Sequence, residues 1–206
     1  MPTSLQRGNG NAGGGWYHCY ADPEIVSLPN LAISTVDLTI RTGDLVMIST
    51  AGSHNTQFVT AACANAAAIA NTTRVLGWAM ADLVYNGTTI AANSTQLPVL
   101  VANDWTRVRM AVNSNGVAVN TADTVWYLGK LLTVSRAAAS AVTDDAYYYG
   151  NLTAGGINSE LPINTNAVLS ITAWDRQSWP SFPTNGAADT YLTVWTKVLP
   201  ARRSSY

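Results

Sequence analysis

The chain has 206 residues, with 11 Lys or Arg against 12 Asp or Glu, so its formal net charge is −1. Charged residues make up 11 % of the sequence, less than half of the roughly 25 % that is usual in a soluble domain. Such a chain lacks the clustered basic residues of a nucleic-acid-binding protein, and it has no apolar stretch of about 18 residues that would span a membrane. We therefore expect no nucleic-acid partner and no membrane partner, and the 48 % of hydrophobic residues predicts a folded core.

The scarcity of charge also concerns the surface that the chain presents. Thr, Asn, Ser and Ala must supply the polar cover that Lys and Glu usually give. Free monomers keep interspersed charges for solubility, whereas surfaces buried between subunits are depleted in charge. One interpretation is a simple compositional preference. We favour the other, which is a protein covered by copies of itself or by a partner.

Residues 1–35 differ from the rest of the chain and are predicted to form an extended N-terminal arm. Residues 8–15 are mostly glycine, which is costly to order, and an aromatic cluster follows at residues 16–20. Pro23 and Pro29 disfavour a helix. The segment is either an arm that inserts into a partner or a terminus whose aromatic side chains fold back onto the core. The candidate contact residues of the arm are Leu5, Arg7, Trp16, Tyr17 and Tyr20.

From residue 36 onward the pattern of apolar residues predicts strands. Val36, Leu38 and Ile40 alternate with polar residues, as in a half-buried strand, and the apolar run 45–48 predicts a strand covered on both faces. The alanine-rich residues 61–70 are predicted to form a short helix on propensity. Further strands are predicted at residues 57–60, 74–81, 88–91, 97–102, 105–112, 124–134, 166–174 and 190–198.

Glycines and loops separate these elements. Gly77, inside the strand 74–81, predicts a bulge or the close approach of another backbone, and Asn86-Gly87 and Asn115-Gly116 predict hairpin turns. Residues 135–165 are predicted to form a loop-rich elaboration. The sequence as a whole predicts an all-β fold in which residues 36–206 form a single β-sandwich or barrel, jelly-roll or tulip-like, with long aromatic loops.

Catalytic chemistry has little support in the sequence. His18 and His54 are the two histidines, so a Ser-His-Asp triad has only those to draw on. Together with Cys19 and Cys63 they do not have the spacing of a familiar zinc site. Asp144-Asp145 precedes a tyrosine triplet in a way that would suit a glycosidase, but adjacent acids rarely converge on one bond. We predict no catalytic residue, no cofactor and no metal.

Two groups of residues are candidates for binding. Trp105, Arg107 and Arg109 share one face of the predicted strand 105–112. A flat aromatic ring beside two guanidinium groups is typical of protein interfaces, and the alternative is a solvated face with cation–π stacking. The second group would stack on sugar rings and consists of Tyr147, Tyr148, Tyr149, Trp174 and Trp179.

The middle of the chain resembles a known family. Thr42-Gly43-Asp44-Leu45-Val46 is followed by Arg74-Val75-Leu76-Gly77-Trp78-Ala79 and by Val99-Leu100-Val101, with the Asn86-Gly87 turn between the last two. This series, over residues 42–112, is similar to the small decoration (cement) proteins of tailed bacteriophage heads. The residues after Leu132 lie outside the resemblance.

The resemblance implies a compact β-barrel or tulip and a structural function without a reaction. Such proteins are made in the host cytoplasm and bind the capsid exterior, commonly as homotrimers, where they bridge neighbouring major capsid subunits. Their N-terminal arms often add a strand to a capsid sheet, a part that residues 5–20 would have here. The expected partners are therefore the major capsid protein and further copies of the chain. The alternative function is that of a carbohydrate- or receptor-binding module of a phage tail or fibre.

Overall fold

The structure is a computed structural model that describes residues 17–19, 22–49, 57–64, 67–113, 129, 131–136, 148–152, 166–174 and 191–204. Two short 3-10 turns, Val36–Leu38 and Pro200–Arg202, accompany the strands. The strands in these ranges are β1 (Tyr17–Cys19), β2 (Ile25–Pro29), β3 (Leu45–Ser49), β4 (Phe58–Ala61), β5 (Val75–Ala79), β6 (Gln96–Val101), β7 (Thr106–Asn113), β8 (Leu131–Arg136), β9 (Tyr148–Leu152), β10 (Leu169–Trp174) and β11 (Tyr191–Val198). They form two sheets in which neighbouring strands are antiparallel, apart from the parallel pairing of β7 with β9 and isolated parallel bridges, so the all-β prediction is confirmed.

The first sheet curls back on itself and forms what we call the first barrel. Its strand order is β2-β6-β5-β3-β4, with antiparallel neighbours throughout. The two outer strands then meet, because Asn30 bridges Val59 in parallel and the Leu31 N–H donates to the Val59 carbonyl at 2.9 Å. The closure leaves most of the outer edge of β2 unpaired among the described residues.

The second sheet closes in the same way and forms the second barrel. Its order is β1-β7-β11-β10-β8-β9, and β9 also pairs in parallel with the end of β7, where Val112 lies opposite Gly150. Strands β7 to β11 therefore make a ring of five. Strand β1 is an addition to that ring, because it pairs with the beginning of β7, opposite residues 106–108.

The two barrels have the same connectivity and the same register. If the five strands of each barrel are numbered in chain order, from β2 to β6 and from β7 to β11, both barrels have the strand order 1-5-4-2-3. In both, strand 3 then pairs in parallel with strand 1 and closes the ring. If Leu45 is matched with Leu131 and the paired residues are followed from strand to strand, the Asn30–Val59 bridge of the first ring falls on the Val112–Gly150 pair of the second. The chain is therefore an internal structural repeat.

The sequence retains this repeat where the second strand of each barrel begins. Gly43-Asp44-Leu45-Val46-Met47-Ile48-Ser49 corresponds to Gly129-Lys130-Leu131-Leu132-Thr133-Val134-Ser135. Both glycines have positive φ, 88° and 85°, a conformation that side chains disfavour. Their N–H groups donate to matching carbonyls, that of Gly43 to Ala79 at 2.7 Å and that of Gly129 to Ile171 at 2.8 Å.

Two hydrophobic clusters fill the molecule. One lies inside the first barrel and includes Val46, Val59 and Val99. The other joins the interior of the second barrel to the outer face of the first, where Trp78 is fully buried. The members of this shared cluster are Leu45, Ala62, Ile69, Val75, Trp78, Leu100, Ala102, Val108, Met110, Leu132, Val134, Val168, Leu169, Ile171 and Val198.

Two buried arginines of the second half also reach into the first barrel. The Arg136 guanidinium, at the end of β8, donates to the carbonyls of Asp37 (2.6 Å), Cys63 (3.4 Å) and Thr39. Arg202, after β11, donates to the carbonyls of Ala70 and Asn71. These main-chain acceptors lie in the connections that precede β3 and β5, so both arginines fix those connections against the second barrel.

Three predicted elements of the first half are wrong in type. The alternating residues after Val36 form a 3-10 turn instead of a strand, because the carbonyls of Asp37 and Thr39 are taken by Arg136 rather than by a neighbouring strand. The predicted helix 61–70 is absent from the described residues there, since Ala61 ends β4 and Ala68 bridges Ser135 of β8. The predicted strand 88–91 is reduced to one bridge, from Ile90 to Ile33.

Other boundaries also differ from the prediction. Residues 25–29, predicted as arm, are strand β2, and Ile33 is buried in the first core. In the region predicted as loop-rich, residues 148–152 form β9, while much of the rest of 135–165 lies outside the described residues. The remaining predicted strands are confirmed in type where the structure describes them; of the predicted strand 124–134, residues 131–134 lie in β8, and residues 124–128 and 130 lie outside the described residues.

The prediction for Gly77 is confirmed. A Cβ atom at this position would lie 1.9 Å from the Leu100 carbonyl oxygen, because the main chain of the neighbouring strand β6 lies directly against the glycine. The pairing of β5 with β3 also shifts register here, between Val46 and Met47. The glycine therefore serves both a close approach and a bulge.

Candidate contact surface

A turn built on Asn103 connects the two barrels. The Asn103 Oδ1 accepts hydrogen bonds from the N–H groups of Trp105 and Thr106, both at 3.0 Å, and from the Thr106 hydroxyl at 2.9 Å. Thr106 is fully buried at the start of β7. This set of bonds fixes the main chain on both sides of Trp105, in the manner of an Asx turn.

Trp105 and Ile25 are the exposed large hydrophobic residues among those described, with 57 % and 46 % of their surface accessible. The Asn103 turn brings their neighbours together. The Asn103 side-chain amide donates to the Glu24 carboxylate at 3.4 Å, and the Val101 N–H donates to the Glu24 carbonyl at 2.8 Å. Ile25 follows Glu24 in the chain and Trp105 follows two residues after Asn103, so the Glu24–Asn103 contact brings the two exposed apolar residues into one region. We call Glu24, Ile25, Trp105 and Arg107 the contact surface.

Fixed charges border Trp105. The Arg107 guanidinium donates to the carbonyls of Asp104 (2.7 Å) and Thr106 (3.2 Å). Arg203 pairs with the Asp104 carboxylate at 2.8 Å and also donates to the Val198 carbonyl. The hydrogen bond from Arg203, and then its charge, hold the pKa of Asp104 below its usual value, so this carboxylate stays ionised at neutral pH. The exposed ring of Trp105 is therefore flanked by charged side chains that are held by hydrogen bonds.

The predicted alternation of buried and outward-facing residues along the strand 105–112 is confirmed. Thr106, Val108 and Met110 are buried, whereas Arg107 and Arg109 are half-buried on the opposite face. Trp105 precedes the strand and is the more exposed member of the predicted group. Arg109 lies opposite Trp195 of β11 in the sheet.

The other predicted binding residues are placed only in part. Tyr17 is in β1, opposite Val108, and Tyr148 and Tyr149 are in β9. Trp174 is the last residue of β10. The remaining candidates lie outside the described residues: Leu5, Arg7, Trp16, Tyr20, Tyr147 and Trp179.

Sequence reasoning missed Ile25 and the part played by Asn103. Ile25 lies within the predicted arm, and Asn103 is not among the predicted contact residues. A weak signal was present for each. Ile25 is an apolar residue directly after exposed Glu24, and Asn103 stands two residues before an isolated tryptophan, the spacing of an Asx turn.

One buried acid lies away from this surface. Asp44 is fully buried, its Oδ2 accepts the Arg41 N–H at 2.8 Å, and the Arg136 Nη2 lies 3.9 Å away. Burial raises the pKa of Asp44 to about 7, and the positive charge of Arg136 opposes this shift only in part. The carboxyl group is out of reach of a solute, so it acts on stability and not on binding.

The described ranges contain no group of three or more His, Cys, Asp and Glu side chains that would hold a metal ion. In the same part of the chain, no helix is long and apolar enough to cross a bilayer. Comparison with known protein families, curated proteins and solved structures finds no match.

Proposed function

We propose that the protein is a structural component of a bacteriophage virion that binds the outer surface of the capsid and stabilises it by bridging neighbouring major capsid subunits. Its partners are then the major capsid protein and further copies of itself in a homotrimer, and it carries out no reaction. The resemblance of residues 42–112 to decoration proteins and the low content of charged residues support this proposal.

The observation that carries the proposal is the presentation of Trp105. Tryptophan is enriched among the residues that dominate protein interfaces, and here 57 % of its surface is exposed on a turn fixed by Asn103. Because the turn is already ordered, little conformational entropy is lost when the ring is covered. Burying the exposed part of an indole contributes about 2–3 kcal/mol. That is modest for one site, but it is multiplied when one oligomer engages several subunits.

Sedimentation with purified heads of the phage that encodes the chain tests this function. We expect the wild-type protein to sediment with the heads and Trp105→Ala to lose most of that binding while remaining folded. Thr88→Ala, which alters another exposed position, is the matched control and should bind like the wild type. Equal binding of Trp105→Ala, or no binding of the wild type, would contradict the proposal. Specific binding to a glycan array, lost in Trp179→Ala, would instead support the carbohydrate-binding alternative.

A further inference from the structure

The two barrels have equivalent edges, and in the described residues only one of these edges is covered. Strand β1 pairs with β7, with Tyr17 opposite Val108 and Cys19 opposite Thr106. The shared register places Val26 of the first barrel at the position of Val108 in the second. The residues of β7 that β1 covers therefore correspond to residues 24–26.

The main chain of Ile25 directs its hydrogen-bonding groups away from its own sheet. Ile25 lies opposite Leu100, and the flanking bond runs from the Val101 N–H to the Glu24 carbonyl at 2.8 Å. In an antiparallel ladder this makes Ile25 and Leu100 a non-hydrogen-bonded pair, so the N–H and C=O of Ile25 face the outer edge. Within the described part of the chain, no strand pairs with that edge before Asn30. Among the described residues, the stretch of edge that β1 covers in the second barrel is therefore left unpaired in the first.

Proline limits this open edge on both sides. Because hydrogen bonding alternates along the ladder, the main-chain N–H and C=O groups of residues 23, 25, 27 and 29 point away from β6, toward the outer edge. Pro23 and Pro29 have no N–H to donate there. The outward donors are therefore those of Ile25 and Ser27. The edge between the two prolines can therefore pair with a segment of about the length of β1, which has three residues.

We propose that the edge of β2 at residues 24–27 binds an extended segment of a partner polypeptide, antiparallel and in the register in which β1 pairs with β7. The structure shows one segment of the chain, Tyr17–Cys19, that fills such an edge, and each chain has two such edges. Because Tyr17–Cys19 is already paired with β7 of its own chain, a copy of the chain does not have this segment to spare, and we assign the edge of β2 to another polypeptide. The inference rests on the proposed function, in which that polypeptide is a capsid subunit.

The residues at the edge define the chemistry of the occupant. The residue of the partner segment that lies opposite Ile25 is apolar or β-branched, because Ile25 is exposed and side chains of neighbouring strands pack on each other. The next residue, opposite the exposed Glu24, is Lys or Arg. The Asn103 side chain contacts both Glu24 and the main chain of Trp105, so the β2 edge and the exposed tryptophan are connected through this one residue.

A synthetic peptide tests the edge without any capsid. The probe has the sequence of residues 15–21 with the changes H18V and C19K, which place Val opposite Ile25 and Lys opposite Glu24. Added to the full-length protein, it should bind and slow amide hydrogen exchange at Ile25 and Ser27 at least tenfold, as measured by NMR.

Two variants make this test specific. Ile25→Pro should abolish binding but leave the barrel intact, because the Ile25 N–H takes no part in the β2–β6 ladder; Ile25→Val is the matched control. Glu24→Lys should weaken the peptide at least threefold, and a peptide with Glu in place of its Lys should recover that loss.

Several results would overturn the inference. The first is that the peptide does not bind at millimolar concentration, and the second is that Ile25→Pro and Glu24→Lys leave its binding unchanged. The third is that amide exchange slows only at Arg107 and Arg109, which would mean that the peptide displaces β1. Self-association of the protein that Ile25→Pro abolishes would make the occupant a second copy and refute the assignment to a partner. Since none of these measurements involves heads, their failure is distinguishable from failure of the sedimentation experiment.

Discussion

Replacing Arg136 by methionine removes the guanidinium that connects the two barrels and keeps a side chain of similar length. Arg136 is 1 % exposed, and its guanidinium donates to three main-chain carbonyls of the first barrel. It also forms an ion pair at 3.9 Å with the carboxylate of Asp44, which is fully buried. The variant therefore leaves three carbonyls without this donor and one buried acid without its countercharge.

The magnitude follows from these contacts. Removing one partner of a buried charge pair costs about 3–5 kcal/mol, and the unsatisfied carbonyls are part of that cost. For a chain of this size each kcal/mol corresponds to about 2–4 °C, so we expect the melting temperature to fall by roughly 10 °C. Arg136→Lys should lose nearly as much, because an ammonium group cannot reproduce the planar fork that contacts several carbonyls.

Urea unfolding at pH 8 of Arg136→Met, Asp44→Asn and the double variant gives the measurement. If the carboxylate depends on Arg136, the double variant should be more stable than Arg136→Met alone, because the uncompensated acid has been removed. A loss below about 1 kcal/mol in Arg136→Met, or strict additivity of the two changes, would refute the reasoning that this arginine holds the barrels together.

Four further predictions concern stability and binding. Burial raises the pKa of Asp44 from 3.8 to about 7, so the contribution of its protonated form to stability is full below pH 3.8 and is lost as the pH rises through 7. This contribution is on the order of 4 kcal/mol at most. The free energy of unfolding of Asp44→Asn should therefore lack this dependence on pH. Gly77→Ala places a Cβ atom 1.9 Å from a main-chain oxygen, so calorimetry should show a loss of at least about 3 kcal/mol or no folded protein. Gly43→Ala and Gly129→Ala should each cost about 1–2 kcal/mol, since both positions have positive φ; very different costs would argue against their structural equivalence. Trp105→Ala should change the free energy of unfolding by less than about 0.5 kcal/mol, and a larger loss would mean that the ring stabilises the fold rather than a partner.

Much of the fold could be predicted from the sequence, because alternating and apolar runs mark strands whose faces differ in burial. Residues 106–110 show this most clearly. The same pattern at Val36–Leu38 did not give a strand, since a strand also needs a neighbouring edge and Arg136 occupies the carbonyls there. That arginine acts over a long sequence distance, and no local pattern indicates it.

The internal repeat is retained over too few residues to be predicted from the sequence, for a related reason. Equivalent positions differ wherever their surroundings differ: Leu100 is fully buried beneath the second barrel, and its counterpart Lys197 is half-buried. Only a conformational requirement, the positive φ of Gly43 and Gly129, keeps a shared residue type at the turn. The contact surface could likewise be predicted only at Trp105 and Arg107, because the contact of Glu24, next to Ile25, with Asn103 depends on how β2 joins the sheet.

Electron cryomicroscopy of heads purified with and without the protein tests the central claim most directly. The account predicts added density on the capsid exterior at symmetric positions between neighbouring major capsid subunits, with the Asn103 turn and Trp105 facing the shell. Heads without added density, or density confined to the tail or its fibres, would contradict it.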